Sequence, residues 1–205
     1  IWQVFTQICL ALRYCHKHKH VVHRDLTPSN IMINEDNVVK LADFGLARQR
    51  MSTNSTMQFQ SVVGTVFYQC PEIIQHETYT EKADIWSLGC ILYQMAALRP
   101  PFEGNPLVLA SHIVEGKYEP IKGAYSPLLH KVVARMLTPE PDVRPDIDEV
   151  ARLIAPVLVS ELDRVSSGAH SLRAEVRTER EAGQRYKHEA LRNKEQVHRL
   201  FARQK

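Results

Sequence analysis

Two short polar motifs constrain this chain more than any other feature. The first covers residues 23–30, His-Arg-Asp-Leu-Thr-Pro-Ser-Asn, and the second covers residues 43–45, Asp-Phe-Gly. Two short apolar runs lie between them, at residues 31–33 and 38–41, and the turn-rich residues 34–37 separate these runs. Apolar runs joined by a polar turn are typical of a β-hairpin. The sequence therefore predicts a hairpin between two loops that carry carboxylate and amide side chains.

In this order, the two motifs resemble the catalytic loop and the magnesium-binding motif of eukaryotic protein kinases. Cys70-Pro71-Glu72 stands where such kinases carry Ala-Pro-Glu, and Gly64-Thr65 precedes it as in the substrate-facing loop of Ser/Thr kinases. The resemblance covers residues 1–159. It implies a mainly α-helical C-terminal lobe with short β-hairpins at the catalytic loop. These 205 residues contain no glycine-rich phosphate loop and no lysine motif of the N-terminal lobe, so we expect a partial catalytic domain, inactive as this fragment.

A narrower resemblance is carried by residues 25–32, Asp-Leu-Thr-Pro-Ser-Asn-Ile-Met, and residues 67–72, Phe-Tyr-Gln-Cys-Pro-Glu. With a heptad segment directly after them, they resemble the NIMA-related kinases, and within that family one divergent member. The resemblance implies transfer of the γ-phosphate of ATP to protein Ser/Thr hydroxyls, with ATP and Mg²⁺ as cofactors and proteins as substrates.

Three residues of the two motifs carry side chains suited to phosphoryl transfer. The reaction needs in-line positioning, metal ions that bridge the phosphates, and a group that orients the attacking hydroxyl. Asp25 is the candidate for accepting the hydroxyl proton, while Asn30 and Asp43 are the candidate Mg²⁺ ligands, because hard oxygens are what Mg²⁺ prefers. Taken singly, each would be interpreted as a loop-capping side chain. Their joint order and spacing favour the catalytic interpretation.

One position departs from the family pattern. Thr27 stands where Ser/Thr kinases usually carry a lysine that contacts the γ-phosphate. A hydroxyl cannot replace a cation against developing negative charge. Tyrosine kinases also lack this lysine, so Thr27 is compatible with an altered acceptor preference as well as with lost activity. Gly64-Thr65 favours the Ser/Thr class.

The resemblance also implies structural and regulatory roles. Asp84 matches the aspartate that anchors the catalytic-loop backbone, and Arg144 matches the arginine that pairs with Glu72. Ser61 stands where NIMA-related kinases carry a phosphorylatable residue, and Arg24 would give its phosphate a cationic partner. The alternative for Ser61 is that a Ser/Thr-rich loop is simply polar and flexible.

Apolar periodicity and proline positions predict the helices of this lobe. They are expected at residues 2–18, 83–97, 106–115 and 127–137, with a last one from residue 146 whose apolar stripe runs to residue 158. Residues 49–60 are polar and without period, which predicts a loop.

Residues 160–205 differ in character from the rest of the chain. Leu162, Val165, Ala169, Leu172 and Val176 follow an alternating spacing of three and four residues, which favours a coiled coil and a homo- or hetero-oligomer formed through it. Residues 166–168 are a candidate hinge, and the alternative is a solvated amphipathic helix. The segment carries 11 Lys and Arg against 7 Asp and Glu, so it holds the whole positive excess of a chain whose net charge is +3.

Composition excludes several other functions. No apolar run approaches the ~18 residues of a membrane span, so we expect no membrane insertion. The charges of residues 160–205 alternate in sign, so we expect no direct binding of nucleic acid. Four cysteines without C-x-x-C spacing favour reduced thiols and a cytoplasmic location, with the nucleus as a second possibility. The histidines at positions 16, 18, 20 and 23 have no completing ligand set for a metal. The rival to a kinase is a non-catalytic scaffold that pairs through its coiled coil.

Overall fold

The computed structural model describes residues 1–45, 48–49, 65–163, 165–166, 173 and 176–184. The chain forms two compact units, Ile1–Leu158 and Val159–Lys205, and each is considered by itself. Within the described residues, no helix has the length and apolar character needed to cross a membrane.

The first unit is rich in helices, as predicted for a mainly α lobe. Its α-helices are α1 (Trp2–Arg13), α2 (Pro71–Ile74), α3 (Lys82–Ala97), α4 (Pro106–Glu115), α5 (Pro127–Met136) and α6 (Ile147–Leu153). Its strands are β1 (Val21–Val22), β2 (Ile31–Ile33), β3 (Val39–Leu41) and β4 (Arg48–Gln49). Short 3₁₀-helices cover Pro28–Asn30 and Thr65–Tyr68.

Helix α1 forms because its apolar side chains recur at helical spacing. Phe5, Ile8 and Leu12 are fully buried and face the core. The chain then continues as a π-helical segment, Tyr14–Lys19. This segment ends at His20, whose φ of 53° is left-handed. The predicted helix is therefore present, but its last turns are wider than an α-helix. We find no sequence signal for that widening.

The predicted hairpin between the two motifs is confirmed. Strands β2 and β3 pair antiparallel, with Ile31 opposite Leu41 and Ile33 opposite Val39. Asn34 stabilises the turn, because its Oδ1 accepts a hydrogen bond of 2.7 Å from the backbone N–H of Val38. The hairpin thus joins residues 23–30 directly to residues 43–45.

The predicted loop at residues 49–60 is wrong at its first residue. Gln49 belongs to β4, which pairs antiparallel with β1, so that Val21 lies opposite Gln49. Two-residue strands carry too little periodicity to be recognised from sequence, and this pairing joins distant parts of the chain. Residues 50–60 lie outside the described residues.

Three later helices begin where the sequence predicts, because each has a polar residue that caps its free N–H groups. Asn105 and Ser126 accept hydrogen bonds from the third residue of α4 and α5. Asp146 and Glu149 form a reciprocal capping box at α6. The predicted single stripe to residue 158 is wrong as one helix, because Ile154 leaves helical geometry before residues 155–163 resume it.

Helix α3 lies at the centre of the first unit and is buried on nearly all sides, including Trp86 and Leu88. Gly89 lets α5 approach it closely. A Cβ at that position would lie 2.9 Å from the Cβ of Met136 and 3.0 Å from a methyl carbon of Leu137. Because neither contact is with the end of a long flexible side chain, a larger residue would force the two segments apart.

In the second unit, residues 159–163 and 176–184 are helical. Leu162, Val165 and Val176 are exposed by 68%, 62% and 53%. Leu172 lies outside the described residues. The coiled coil therefore stays a prediction.

We expect Gly89→Ala to lower the free energy of unfolding by ~1–3 kcal/mol, which overpacking typically costs, despite the better helix propensity of alanine. Thermal unfolding with circular dichroism would measure this. Gly183→Ala is the matched control, because a Cβ at Gly183 has nothing within 4 Å. It should be neutral or stabilising by up to ~1 kcal/mol. Equal stability of both variants would contradict the close approach.

Candidate active site

The loop at residues 23–30 is anchored by a carboxylate in the first turn of α3. Asp84 is 1% exposed, and its two oxygens accept hydrogen bonds of 2.8 Å from the backbone N–H groups of His23 and Arg24. The ring of His16 donates through Nε2 to the same carboxylate, also at 2.8 Å. Arg24 has a left-handed φ of 72°, which is costly for a side chain other than glycine. Asp84 thus holds the loop in a shape that it would not adopt alone.

Asp25 and Asn30 are brought together within this loop. The Nδ2 of Asn30 donates to the backbone oxygen of Asp25 at 2.8 Å and to its Oδ2 at 3.2 Å. The other carboxylate oxygen, Oδ1, is buried and has no hydrogen-bond partner among the residues that the structure describes. A buried oxygen of this kind is costly unless a ligand satisfies it. Asp25 is therefore held through one oxygen and presents the other as a hydrogen-bond acceptor.

The hairpin brings the third predicted residue to the same place. Strand β2 begins directly after Asn30, and β3 ends directly before Ala42. The backbone N–H of Ala42 donates to the backbone oxygen of Asn30 at 2.9 Å. Asp43 follows, exposed and with a φ of 58°. The ring of His23 closes the arrangement, because it contacts the ring of Phe44 at 4.6 Å and its Nε2 donates to the oxygen of Ala42.

The donor set fits a magnesium ion that is shared with a phosphate ligand. Asn30 keeps its amide oxygen for a metal, since its Nδ2 is used by Asp25, and Asp43 adds a carboxylate. Within the described residues, no three His, Cys, Asp or Glu side chains cluster as a metal cage. Mg²⁺ is usually held by one or two carboxylates together with substrate phosphates and water. A set of one amide oxygen and one carboxylate is therefore compatible with Mg²⁺.

Thr27 lies in the recess beside Asp25 and is 5% exposed. Its hydroxyl shares a hydrogen bond of 2.9 Å with the hydroxyl of Ser29. The position is therefore occupied by one neutral hydroxyl, bonded to a second, where a cation is usual in the family. Sequence reasoning missed Ser29 as a partner and Gln69 as a residue that lines the same recess.

The guanidinium of Arg24 lies 4.9 Å from the ring centre of Tyr79. Its Nε and Nη1 are buried, and no described residue forms a hydrogen bond with either of them. Buried guanidinium donors normally bind a carboxylate or a phosphate, so this side chain is chemically prepared for an anion. Ser61, which the sequence predicts as the phosphorylated residue, lies outside the described residues.

A buried ion pair joins α2 to the segment before α6. Arg144 is fully buried, and it donates to both carboxylate oxygens of Glu72 at 2.8 and 3.0 Å. It also donates to the backbone oxygens of Lys82 and Thr138, and its guanidinium lies 5.1 Å from the ring centre of Trp86. Because nearly all its donors are used, this pair meets the conditions under which a buried salt bridge is tolerated.

The cysteines offer no nucleophile. Burial raises the pKa of the thiols of Cys9, Cys70 and Cys90 far above the ordinary value. Burial, and then the charge of Asp84, also raises the pKa of Cys15. All four are free thiols. Since the thiolate is the reactive form, the site cannot use cysteine chemistry at neutral pH.

The family follows from this fold, this site and the match to known proteins. Residues 1–153 match the model of the protein kinase domain, and the chain belongs to that family. Because the match begins at residue 1, the absence of an N-terminal lobe stays a prediction.

The relatives are kinases of the NIMA-related group, as the narrower resemblance predicts. Serine/threonine-protein kinase Nek10 of Homo sapiens is 48% identical over 98% of this chain and 17% of its own length. Nek10 of Mus musculus is 48% identical over 98% of this chain and 18% of its own length. Serine/threonine-protein kinase Nek2 of Homo sapiens is 40% identical over 80% of this chain and 38% of its own length. This chain thus spans less than a fifth of the Nek10 proteins.

We expect Arg144→Met to lower the free energy of unfolding by ~3–5 kcal/mol, because it leaves the carboxylate of Glu72 buried without its partner. Chemical denaturation would measure the change. Adding Glu72→Gln should recover part of the loss, since it removes the stranded charge.

Arg13→Met is the matched control for this measurement. Its pair with Asp148, at 2.6 Å, is partly exposed on both sides, so the cost should stay below ~1 kcal/mol. A comparable cost for the two arginines would show that the buried pair is not a special contributor.

Proposed function

We propose that this chain is the part of a protein serine/threonine kinase that carries the catalytic base and the metal ligands. The reaction is transfer of the γ-phosphate of ATP to protein hydroxyls. One observation carries the proposal: Asn30 holds the carboxylate of Asp25 and also begins the hairpin that ends beside Asp43. The names of the relatives support the Ser/Thr class.

Each residue has a distinct role in this proposal. Asp25 accepts the proton of the acceptor hydroxyl at Oδ1, the oxygen that has no partner within the described part of the chain. Asn30 keeps Asp25 oriented and, with Asp43, holds Mg²⁺. The bound Mg²⁺ would bridge the phosphates of ATP and offset the negative charge that develops on them.

The glycine-rich loop and the lysine that hold the other face of ATP are not found in these 205 residues. The chain therefore corresponds to the C-terminal lobe of the catalytic domain, and the longer parent protein is the active enzyme. In this parent, Thr27 stabilises the negative charge of the transferred phosphate less than a lysine would. Its place beside Asp25 is also compatible with a different preference for the acceptor hydroxyl. The cytoplasm is its proposed compartment, since all four thiols are free.

The role assignments are tested by Asp25→Asn and Asp43→Ala in the full-length parent. Each should lower kcat by roughly 10²–10⁴-fold with little change in thermal stability, because it removes a group that acts in the reaction. Asp36→Asn is the control, since Asp36 is exposed in the hairpin turn, and its turnover should stay near that of the parent. The isolated 205-residue chain should transfer no phosphate.

Near-normal turnover in Asp25→Asn would overturn the assignment of the base. If the unchanged full-length parent itself shows no kinase activity, the scaffold interpretation replaces the kinase interpretation.

Association through residues 160–205 is the second part of the proposal. Leu162, Val165 and Val176 expose most of their apolar surface, which a partner helix would cover. They fall on the register of alternating three- and four-residue steps that is typical of a coiled-coil seam. The partner is a second copy of this chain or another protein with the same heptads.

This association is tested by sedimentation of the 205-residue chain and of Leu172→Glu, which places a charge in the least interrupted part of the seam. We expect an oligomer in the unchanged chain and a monomer in the variant. Thr178→Glu, off the seam, is the control and should remain an oligomer. A monomer in all three cases would reduce the segment to a solvated helix.

Phosphorylation of Ser61 is the proposed regulation. Support comes from Arg24, two of whose buried nitrogens have no partner among the described residues and would bind the added phosphate, ordering the loop next to Asp25. In the full-length parent, Ser61→Ala should lower activity more than alanine at Ser52, Thr53, Ser55 or Thr56. Unchanged activity in Ser61→Ala, with loss at one of the other four, would move the site.

A further inference from the structure

Gln7 connects α1 to the outer edge of β3. Its Oε1 accepts a hydrogen bond of 3.0 Å from the backbone N–H of Val39, and its Nε2 donates to the backbone oxygen of Asn37 at 2.9 Å. The same Nε2 lies 3.1 Å from the backbone oxygen of Gln3, one turn earlier in α1. One side-chain amide therefore spans a helix and a strand.

This amide takes the place of a neighbouring strand. The backbone of Val38 and Ala42 bonds toward β2, through the pairs with Asn34 and Asn30. In an antiparallel pair, alternate residues bond to opposite edges, so the N–H of Val39 lies on the free edge, as does the backbone oxygen of Asn37, whose N–H donates to Asn34. Gln7 offers them one acceptor and one donor, as a strand backbone would.

Such support is needed because the hairpin is very small. Each strand has three residues, and Met32 and Ile33 are more than half exposed. A two-stranded hairpin of this size is only marginally stable by itself. Yet its two open ends carry Asn30 and Asp43, the residues that must stay at a fixed separation to share a metal ion.

We propose that Gln7 is a positioning residue for this metal site, acting through β3 without touching the ion. The proposal rests on the proposed function, because it takes Asn30 and Asp43 as the Mg²⁺ ligands. The two hydrogen bonds from Gln7 to Val39 and Asn37 act as a clamp on β3. Loss of this clamp lets β3 shift, so that Asp43 no longer stays in register with Asn30. Weaker metal binding, with the chemical step itself intact, is the consequence.

The first measurement tests the clamp, on the 205-residue chain, by hydrogen exchange of the backbone amides. Gln7→Met keeps the size of the side chain but loses both hydrogen bonds, and the amide of Val39 should exchange about tenfold faster. Gln7→Glu keeps the acceptor for Val39, so its effect there should be smaller. Gln3→Met is the matched control, since Gln3 is exposed on the same helix, and it should change nothing at Val39.

The second measurement tests metal binding, with Mn²⁺ as a paramagnetic probe of the same chain. We expect Mn²⁺ to broaden the amide signal of Gly45, with a midpoint concentration roughly tenfold higher in Gln7→Met than in the unchanged chain or Gln3→Met. In the full-length parent, the Mg²⁺ concentration for half-maximal activity should shift likewise, while kcat at saturating Mg²⁺ stays within about twofold. A merely structural role would lower the active fraction at every Mg²⁺ concentration and leave both midpoints unchanged.

The outcomes separate the two proposals. Faster exchange at Val39 without a shift of the metal midpoints would overturn the positioning role, and unchanged exchange would overturn the clamp itself. If Mn²⁺ leaves Gly45 unaffected in the unchanged chain, the assigned metal site is wrong, and the positioning role is overturned with it while the exchange result for the clamp still holds.

Discussion

The rest of the site depends on the hydrogen bonds that the carboxylate of Asp84 accepts from the loop at residues 23–30. This carboxylate lies at the start of α3, the most buried helix of the first unit, and accepts hydrogen bonds from His16, His23 and Arg24. A buried carboxylate costs several kcal/mol unless its oxygens are satisfied. The loop supplies two of the donors that satisfy it, so the loop and the helix each stabilise an arrangement that would be unfavourable alone. The shape of the site is thereby tied to the core.

The residues farther from Asp84 are held in place by a few hydrogen bonds. Asn30 holds Asp25, and the hairpin that starts at Asn30 carries Asp43 at its other end. The structure becomes less buried along this path: Asp84 is in the core, whereas Asp43 is exposed. Outer groups held by few contacts are the ones that a ligand or a second segment must complete. The incomplete metal set fits a site whose remaining ligands come with the phosphates of a nucleotide.

Much of this architecture could be predicted from the sequence, because the deciding signals are local. Helical spacing of Phe5, Ile8 and Leu12 predicts α1, and polar caps before prolines predict the starts of α4 and α5. The family motifs predict which residues meet in the site. Features that depend on long-range pairing outside the family motifs could not be predicted. The β1–β4 pair joins two dipeptides without any period, and the roles of His16 and Gln7 arise only from where the chain folds back on itself.

Thr27 shows why a motif match and a catalytic mechanism are different statements. The backbone of the loop is held by Asp84 and Asn30 through groups that the residue at position 27 does not affect. The change therefore alters the charge at this position: the hydroxyl of Thr27, which is hydrogen-bonded to that of Ser29, stands in the recess beside Asp25. Electrostatic stabilisation in a water-poor site acts through such fixed groups, and a neutral pair contributes much less than an ammonium. The proposed enzyme would thus keep its hydroxyl-orienting base and its metal ligands while relying more heavily on Mg²⁺, and on cations outside this loop, to offset the charge of the transferred phosphate.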